Sequence, residues 1–433
     1  MESPDEDFCS ARRMWLSTSC VLDRIRLSGM EAVEEFMGLV ENAGALPLVR
    51  AIQGPSADPV ATIDGRQVLV FCSSNYLGLS THPEVKRAVA ETVMEYGVGA
   101  NGSRLVSGTT DLHLALEATT ARFKGSQAAV AFPTGFMANT GTITALAYVP
   151  FFARMADLPL QTKTPGMVVV GDALNHASIV EGLQAARAQH AYYEHCDLDS
   201  LSEKLDQHRG KRVLVVTDGV FSMDGDIAPL PGILELAGRH GATVLVDDAH
   251  GTGVLGATGR GTLEHFGLES GEVLQMGTYS KSFGALGGFV ATDRQTAEYL
   301  RVAARSYMFS GAMPACLAAG ILKAMEIAER EPQRRVQVLR HSDYLSFALE
   351  DAGFRVLGGG TPIVPILIGD DDKAAAISQE LFERGLFVPC VRWPAVARGQ
   401  SRMRITLMAT HERDHLDRLI EALTEAGARF GIL

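Results

Sequence analysis

The stretch Val273-Leu274-Gln275-Met276-Gly277-Thr278-Tyr279-Ser280-Lys281-Ser282-Phe283-Gly284 decides how the chain is read. Val273 to Met276 has the apolar content of a buried strand, and the small residues that follow let the backbone turn tightly around one lysine. An amine is a nucleophile only when unprotonated, and a partly desolvated lysine has its pKa lowered toward neutrality. Lys281 is therefore a candidate for Schiff-base chemistry. Thr278 offers a hydroxyl to a phosphate three residues earlier, and Gly284, Gly287 and Gly288 permit close backbone approach. A solvated lysine after a strand is the competing reading of this stretch alone.

Working outward, strands of the same kind recur. Ala128–Phe132, Met167–Val170, Val213–Thr217 and Thr243–Val246 are short and apolar, and helical patterns separate them at 135–147, 177–188 and 231–240. Strands that are apolar along their whole length, alternating with helices, predict an α/β fold with a mostly parallel sheet covered on both faces. Ligands in such sheets bind beyond the carboxyl ends of the strands. His176, Ser222, Asp247, His250 and Lys281 all fall just after strands, which points to one common site. Thr134-Gly135-Phe136 opens a helix directly after a strand, and its free first-turn amides suit a phosphate.

Three segments are expected: an N-terminal arm over 1–66, helical in its early part, a large domain over 67–310 and a smaller α+β lobe over 311–433. The lobe reads as helices near 314–330 and 333–352, strands at 363–368, 386–389 and 403–407, and helices at 372–384 and from Asp414. Gly97-Val98-Gly99-Ala100-Asn101-Gly102 satisfies G-x-G-x-x-G, but a helix precedes it where a dinucleotide fingerprint needs a strand. The segment 149–166 carries Phe151, Phe152, Met155 and Leu158. It reads most simply as a surface insertion, with an acyl channel or a membrane-surface contact as the sharper alternatives.

The 433 residues carry 39 Lys+Arg against 51 Asp+Glu, a formal charge of −12, so no basic field favours nucleic acid or anionic lipid. Six scattered cysteines without a C-x-x-C pair suggest reduced thiols in a cytoplasmic setting and no zinc site. The charged first thirty residues do not read as a signal peptide, and no apolar run is long enough to span a membrane.

Val246-Asp247-Asp248-Ala249-His250-Gly251-Thr252-Gly253 ends a buried strand with paired acids. One carboxylate there suits a protonated pyridine nitrogen; a metal site or a solvated turn is the alternative. Together with Gly219-Val220-Phe221-Ser222-Met223-Asp224-Gly225-Asp226 and the Lys281 stretch, it resembles the α-oxoamine synthases, in order and spacing from about Asn75 to the C-terminus. These are pyridoxal 5'-phosphate (PLP) enzymes of fold-type I.

The resemblance implies that Lys281 holds the cofactor as a Schiff base and shuttles the substrate Cα proton. Asp247 would pair with the pyridinium nitrogen, keeping it protonated so that the ring acts as an electron sink. His176 and Ala249 would cover the two ring faces, His250 and Ser222 would lie near the phenolic oxygen, and Gly135, Phe136 and Thr278 would bind the phosphate. Asn75, Arg392 and Arg404 would face the substrate, Arg404 taking the amino-acid carboxylate through a bidentate pair. The implied partners are an amino acid, an acyl-CoA or carrier thioester, and a second copy of the chain in a homodimer.

The implied reaction is a decarboxylative Claisen-type condensation, expected to be serine palmitoyltransferase-like. An 8-amino-7-oxononanoate synthase is the alternative within the class, and a catalytically silent partner subunit the alternative outside it. Four departures from the family pattern bear on this. The R-P-P motif stands as Arg392-Trp393-Pro394, and Ala395 replaces the threonine usual in biotin-pathway members. Ser310-Gly311-Ala312 lacks a hydroxyl pair that reaches the partner's phosphate, and Asp218 replaces a glutamate.

Overall fold

A computed structural model describes residues 29–42, 49–149, 167–271 and 273–433. The 149–166 segment, past its first residue, lies outside them. The chain runs through α1 (Gly29–Asn42), β1 (Ile52–Gln53), β2 (Val60–Ile63), β3 (Arg66–Val70), α2 (Pro83–Tyr96), α3 (Asp111–Lys124), β4 (Ala128–Phe132), α4 (Gly135–Ala147), β5 (Val168–Asp172) and α5 (Ala177–Ala185). Next come β6 (Gln189–Tyr193), α6 (Leu198–Gln207), β7 (Val213–Asp218), α7 (Leu230–His240), β8 (Thr243–Asp247), α8 (Thr262–His265), β9 (Leu274–Thr278), β10 (Gly288–Thr292) and α9 (Arg294–Ala303). The remainder is α10 (Arg305–Met308), α11 (Ala315–Arg330), α12 (Gln333–Asp351), β11 (Ile363–Gly369), α13 (Asp371–Glu383), β12 (Leu386–Phe387), β13 (Cys390–Val391), β14 (Ser401–Thr406) and α14 (Arg413–Arg429).

The central sheet has seven strands in the order β4-β10-β9-β8-β7-β5-β6. All neighbouring pairs are parallel except those of β10, which is antiparallel to β4 and β9. Side chains alternate between faces along a strand, and both faces are covered. Leu214, Val216, Leu245, Leu274 and Met276 pack with Ile143, Ile179 and Leu300 on one side. Val213, Val215, Val244 and Val246 pack with Leu201, Leu205 and Ile233 on the other. That two-sided burial is why these strands carry no polar alternation, and it leaves the strand ends as the places where polar side chains gather.

The C-terminal lobe is built on the antiparallel sheet β11-β14-β13. Its core includes Leu69 and Phe71 from β3 and the residue after it, because β3 pairs in parallel with β12. In the other direction, α11 buries Ala318, Ile321 and Met325 in a cluster with Leu77, Phe123, Phe283 and Phe289 of the larger unit. The two lobes therefore exchange elements, and the loops above the central sheet sit between them.

Candidate active site

The Lys281 loop is fixed by its own backbone. Tyr279 N–H donates to Gly287 O at 3.0 Å, Gly284 N–H to Lys281 O at 3.0 Å, and Ala285 N–H to Tyr279 O at 3.1 Å. Ser282 Oγ donates to Thr252 O at 2.7 Å, tying this loop to the one after Asp247. Gly284 has φ +67° and lies against the backbone of Ser80, a position a side chain would fill. Tyr279 is fully buried, with its hydroxyl 2.6 Å from Thr120 Oγ1. These anchors leave Lys281 half-buried at the mouth of a cavity of about 240 Å³. Burial pulls its ammonium down to about 8, against the opposing charges of Asp247 and Asp218 and with Arg404 reinforcing the shift.

The cavity wall contains Gly135, Phe136, His176, Ser222, Asp247, Ala249, His250, Thr278 and Lys281. Asn75, Arg392 and Arg404 are not among its lining residues. Asn75 is buried, and its side chain is occupied in the turn after β3: Nδ2 donates to Ala57 O at 2.9 Å, and Oδ1 accepts from Leu79 N at 3.0 Å and Ser80 N at 3.2 Å. Arg404 stands beside the cavity on β14, its Nε donating to Ser222 O and its Nη1 to Thr406 Oγ1 at 3.1 Å. Its charge reaches Lys281, Tyr76 and His250. Arg392 is half-buried near β13.

Asp247 ends β8 with 4% of its surface exposed. Asn139 Nδ2 donates to its Oδ2 at 2.6 Å and Ala249 N–H to its Oδ1 at 3.0 Å, which fix the orientation of the carboxylate. Asn139 belongs to α4, whose opening forms the opposite end of the cavity. Thr134 caps that helix by accepting from Met137 N at 3.1 Å, which leaves the first-turn amides of Gly135 and Phe136 without a helical acceptor. Gly288 faces Thr278 across the β9–β10 pair, and a Cβ on it would stand 2.6 Å from Gly135 N and Cα. Only glycine lets β10 approach the helix start this closely.

His176 caps α5 and is exposed over the cavity, its Nδ1 2.7 Å from Ser178 Oγ. Its backbone N–H donates to Asp218 Oδ2 at 3.0 Å. His250 is buried with Nδ1 2.5 Å from Tyr76 Oη; burial, followed by the charges of Lys281, Arg404 and His176, drives its pKa well down, so the ring is neutral. Asn139 and Tyr76 are site residues that the sequence did not single out, and Asp218 was noted there only as replacing a glutamate. Asp218 carried a usable signal, since it ends a buried apolar strand as Asp247 does. Asn139 and Tyr76 carried none, because Asp247 and His250, which give them their place in the site, lie more than a hundred positions away.

The donor set fits a phosphorylated pyridine aldehyde. A lysine with a depressed pKa, a buried carboxylate held by two donors, a helix start with free amides beside a threonine hydroxyl, and a small residue (Ala249) and an imidazole (His176) on the wall are the groups such a molecule needs.

A family model described as aminotransferase class I and II matches residues 66–423. An 8-amino-7-oxononanoate synthase of Geobacter sulfurreducens is 42% identical over 388 residues, covering 89% of this chain and 95% of that protein. The structure of a Sphingomonas wittichii serine palmitoyltransferase superimposes with a TM-score of 0.84 at 30% identity, covering 93% of this chain and 98% of that one. An 8-amino-7-oxononanoate synthase of Francisella tularensis superimposes with a TM-score of 0.69 at 25% identity, covering 84% and 99%. The chain belongs to the class I and II aminotransferase family of fold-type I and, within it, to the α-oxoamine synthases, which are PLP-dependent enzymes.

Proposed function

We propose that the protein condenses an amino acid with an acyl thioester, losing the amino acid's carboxylate as carbon dioxide, in the manner of an 8-amino-7-oxononanoate synthase. The product named for the relatives fixes the substrates by carbon count. The amino carbon and its methyl come from alanine, and the ketone carbon through the terminal acid comes from a seven-carbon dicarboxylic thioester. The 42% identity across most of both chains is the observation that carries this reading over the serine palmitoyltransferase-like one.

When bound, PLP supplies an electron sink for the pair left at the amino acid's Cα. The side-chain roles are assigned from the cavity they line and the family resemblance. Lys281 Nζ would hold the cofactor and is the base placed to move the substrate Cα proton. Asp247 would pair with the pyridine nitrogen. His176 and Ala249 would cover the faces of the ring. Gly135, Phe136 and Thr278 take the phosphate, and neutral His250 with Ser222 faces the phenolic oxygen. Arg404, beside the cavity and fixed on Ser222, takes the substrate carboxylate; Arg392 stands outside the cofactor wall, and Asn75 holds the turn after β3. The presence of the Lys281–Asp247 set gives the silent-subunit alternative no support.

The second reading, a serine palmitoyltransferase-like enzyme, is favoured by the closer superposition, 0.84 against 0.69. Ala395 also lines a cavity of about 200 Å³ that meets the cofactor cavity at His176 and Ser222, beside Leu174, Phe221, Met223 and Val396. An amino-acid screen by absorbance change, followed by mass spectrometry of products from thioesters of graded length, separates the readings. Alanine with the seven-carbon dicarboxylic thioester is the expected pair; turnover of serine with a long-chain thioester would replace it.

Exposed Val98, Leu105, Val106 and Phe309 lie on or near the strip where Ser103 bridges Gly311. A second copy of the chain would cover them, which supports a homodimer. No helix of the described residues is long and apolar enough to cross a membrane; a cytoplasmic enzyme is the setting this reading adopts.

A further inference from the structure

His195 follows β6 and touches neither the cofactor cavity nor its lining. Its Nδ1 lies 3.1 Å from Asp172 Oδ1 and its Nε2 lies 2.9 Å from Asp226 Oδ2. A carboxylate only accepts, so both ring nitrogens donate and the ring is an imidazolium. Asp172 ends β5 and also accepts from Leu174 N at 2.7 Å and Cys196 N at 2.9 Å, which fixes it to the loop that leads into His176. Asp226 closes the loop after β7: Phe221 N–H donates to its carbonyl at 3.0 Å, and Gly225 N–H donates to Phe221 O at 2.8 Å. The His195 ring stands edge-on to buried Phe221, 4.4 Å between centroids. The inner side of that loop holds both arginines of β14, Arg404 on Ser222 O and Arg402 on Met223 O and the Asp224 carboxylate.

One cation therefore spans the two loops that carry His176 and Ser222. We propose that His195 is a positioning residue: its imidazolium bridge from Asp172 to Asp226 sets the spacing between His176 on one side of the substrate and the Ser222-held Arg404 on the other. The groups facing it are Asp172, Asp226 and Cys196. Burial alone would lower its pKa, but the hydrogen bonds to the two carboxylates raise it to about 12, so the bridge is charged throughout the working range. Asp172, His195 and Cys196 also have the spacing of metal ligands. With both nitrogens donating, the imidazolium has no lone pair to offer a metal.

The inference rests on the proposed amino-acid site at Arg404, and the test separates the two. Alanine is titrated into the holoenzyme and the cofactor absorbance change is followed, alongside nitrogen NMR of the His195 ring. His195→Gln supplies donors at one end only, where a donor is needed at each of two ends. It is expected to keep the cofactor absorbance and to raise the alanine Kd and KM about tenfold, with kcat changed less than threefold. Adding Asp226→Asn lets the amide at 195 donate to Asp172 and accept from position 226, and is expected to recover most of the loss. In the wild type both ring nitrogens should carry protons up to pH 9. A ring that loses a proton below pH 9, an unchanged alanine Kd in His195→Gln, or a loss confined to thermal stability without rescue would overturn the role. If the wild-type enzyme shows no saturable response to any amino acid, the Arg404 reading fails instead, while the NMR result still stands on its own.

Discussion

Asp218 and Asp247 are directly paired on the parallel strands β7 and β8, so two buried carboxylates stand side by side at the floor of the site. A neighbouring like charge disfavours ionisation of a buried acid, and the two carboxylates differ in their donors. Asp247 receives Asn139 and Ala249, whereas Asp218 receives the His176 amide. Burial, then the charges of Asp247 and Asp172, drives the Asp218 pKa well above the usual carboxylate range. The shift favours the neutral acid at Asp218, while the Asp247 carboxylate is the one that receives two donors.

Removing the Asp247 carboxylate should be severe without unfolding the protein. Asp247→Asn is expected to lower turnover by on the order of 10²–10³-fold, the range for losing a preorganised electrostatic group. Asn139→Ala removes a hydrogen bond to a charged group worth about 1.5–3 kcal/mol, so a loss of roughly 10–100-fold is expected. Steady-state kinetics with circular dichroism as a fold control checks both; near-normal turnover in Asp247→Asn would refute the assignment.

Cofactor capture should follow the free amine of Lys281. With its pKa at about 8, roughly a tenth is unprotonated at pH 7 and about half at pH 8. The rate of absorbance gain on adding PLP to apoprotein is expected to rise about fivefold over that interval and level off above pH 9. The sign for stability agrees. Between about pH 8 and 10 the unfolded chain holds a proton on this lysine that the folded chain has lost, so this group makes apoprotein stability rise with pH across that window. An uptake rate still climbing steeply at pH 10 would place the lysine at its ordinary value.

Glycine at 288 is a steric requirement of the phosphate end. Gly288→Ala sets a methyl 2.6 Å from backbone atoms of Gly135, where nothing flexible can yield. Overpacking of this kind costs about 1–3 kcal/mol, and displacement of the α4 start should weaken PLP retention at least tenfold by about the same energy. Gly238→Ala, whose Cβ would meet nothing within 4 Å, is the control and should retain PLP normally. Equilibrium dialysis measures both.

Arg404 should be intolerant of a lysine. An ammonium cannot reproduce the planar fork that grips a carboxylate and Ser222 O together, so Arg404→Lys is expected to raise the amino-acid KM by roughly 10–100-fold with the PLP spectrum intact. An unchanged KM would move the carboxylate site elsewhere.

The parallel strands and their ligand-bearing ends were legible because two-sided burial writes itself as unbroken apolar runs, as in Val213–Asp218. β10 was not, since its opening glycines read as a turn and its antiparallel direction depends on partners far away in the chain. β6 was missed because Gln189-His190 starts an edge strand with polar residues. The helix expected over 177–188 ends at Ala185, with Arg187 in the left-handed region at φ 48°. Within the site, Lys281, Asp247, His176 and Gly135 announced themselves by standing at element ends. Asn139 sits inside α4, and its meaning arises only when that helix is laid across β8. His195 gave no signal because its two carboxylates come from separate places, Asp172 at the end of β5 and Asp226 in the loop after β7.

The most direct test of the proposed reaction follows the carboxyl carbon of alanine. Carboxyl-labelled alanine, the seven-carbon dicarboxylic thioester and holoenzyme should release all reacted label as carbon dioxide, leaving an unlabelled aminoketone that keeps the alanine methyl. Label retained in the product, or condensation without carbon dioxide release, would contradict decarboxylative condensation at Lys281.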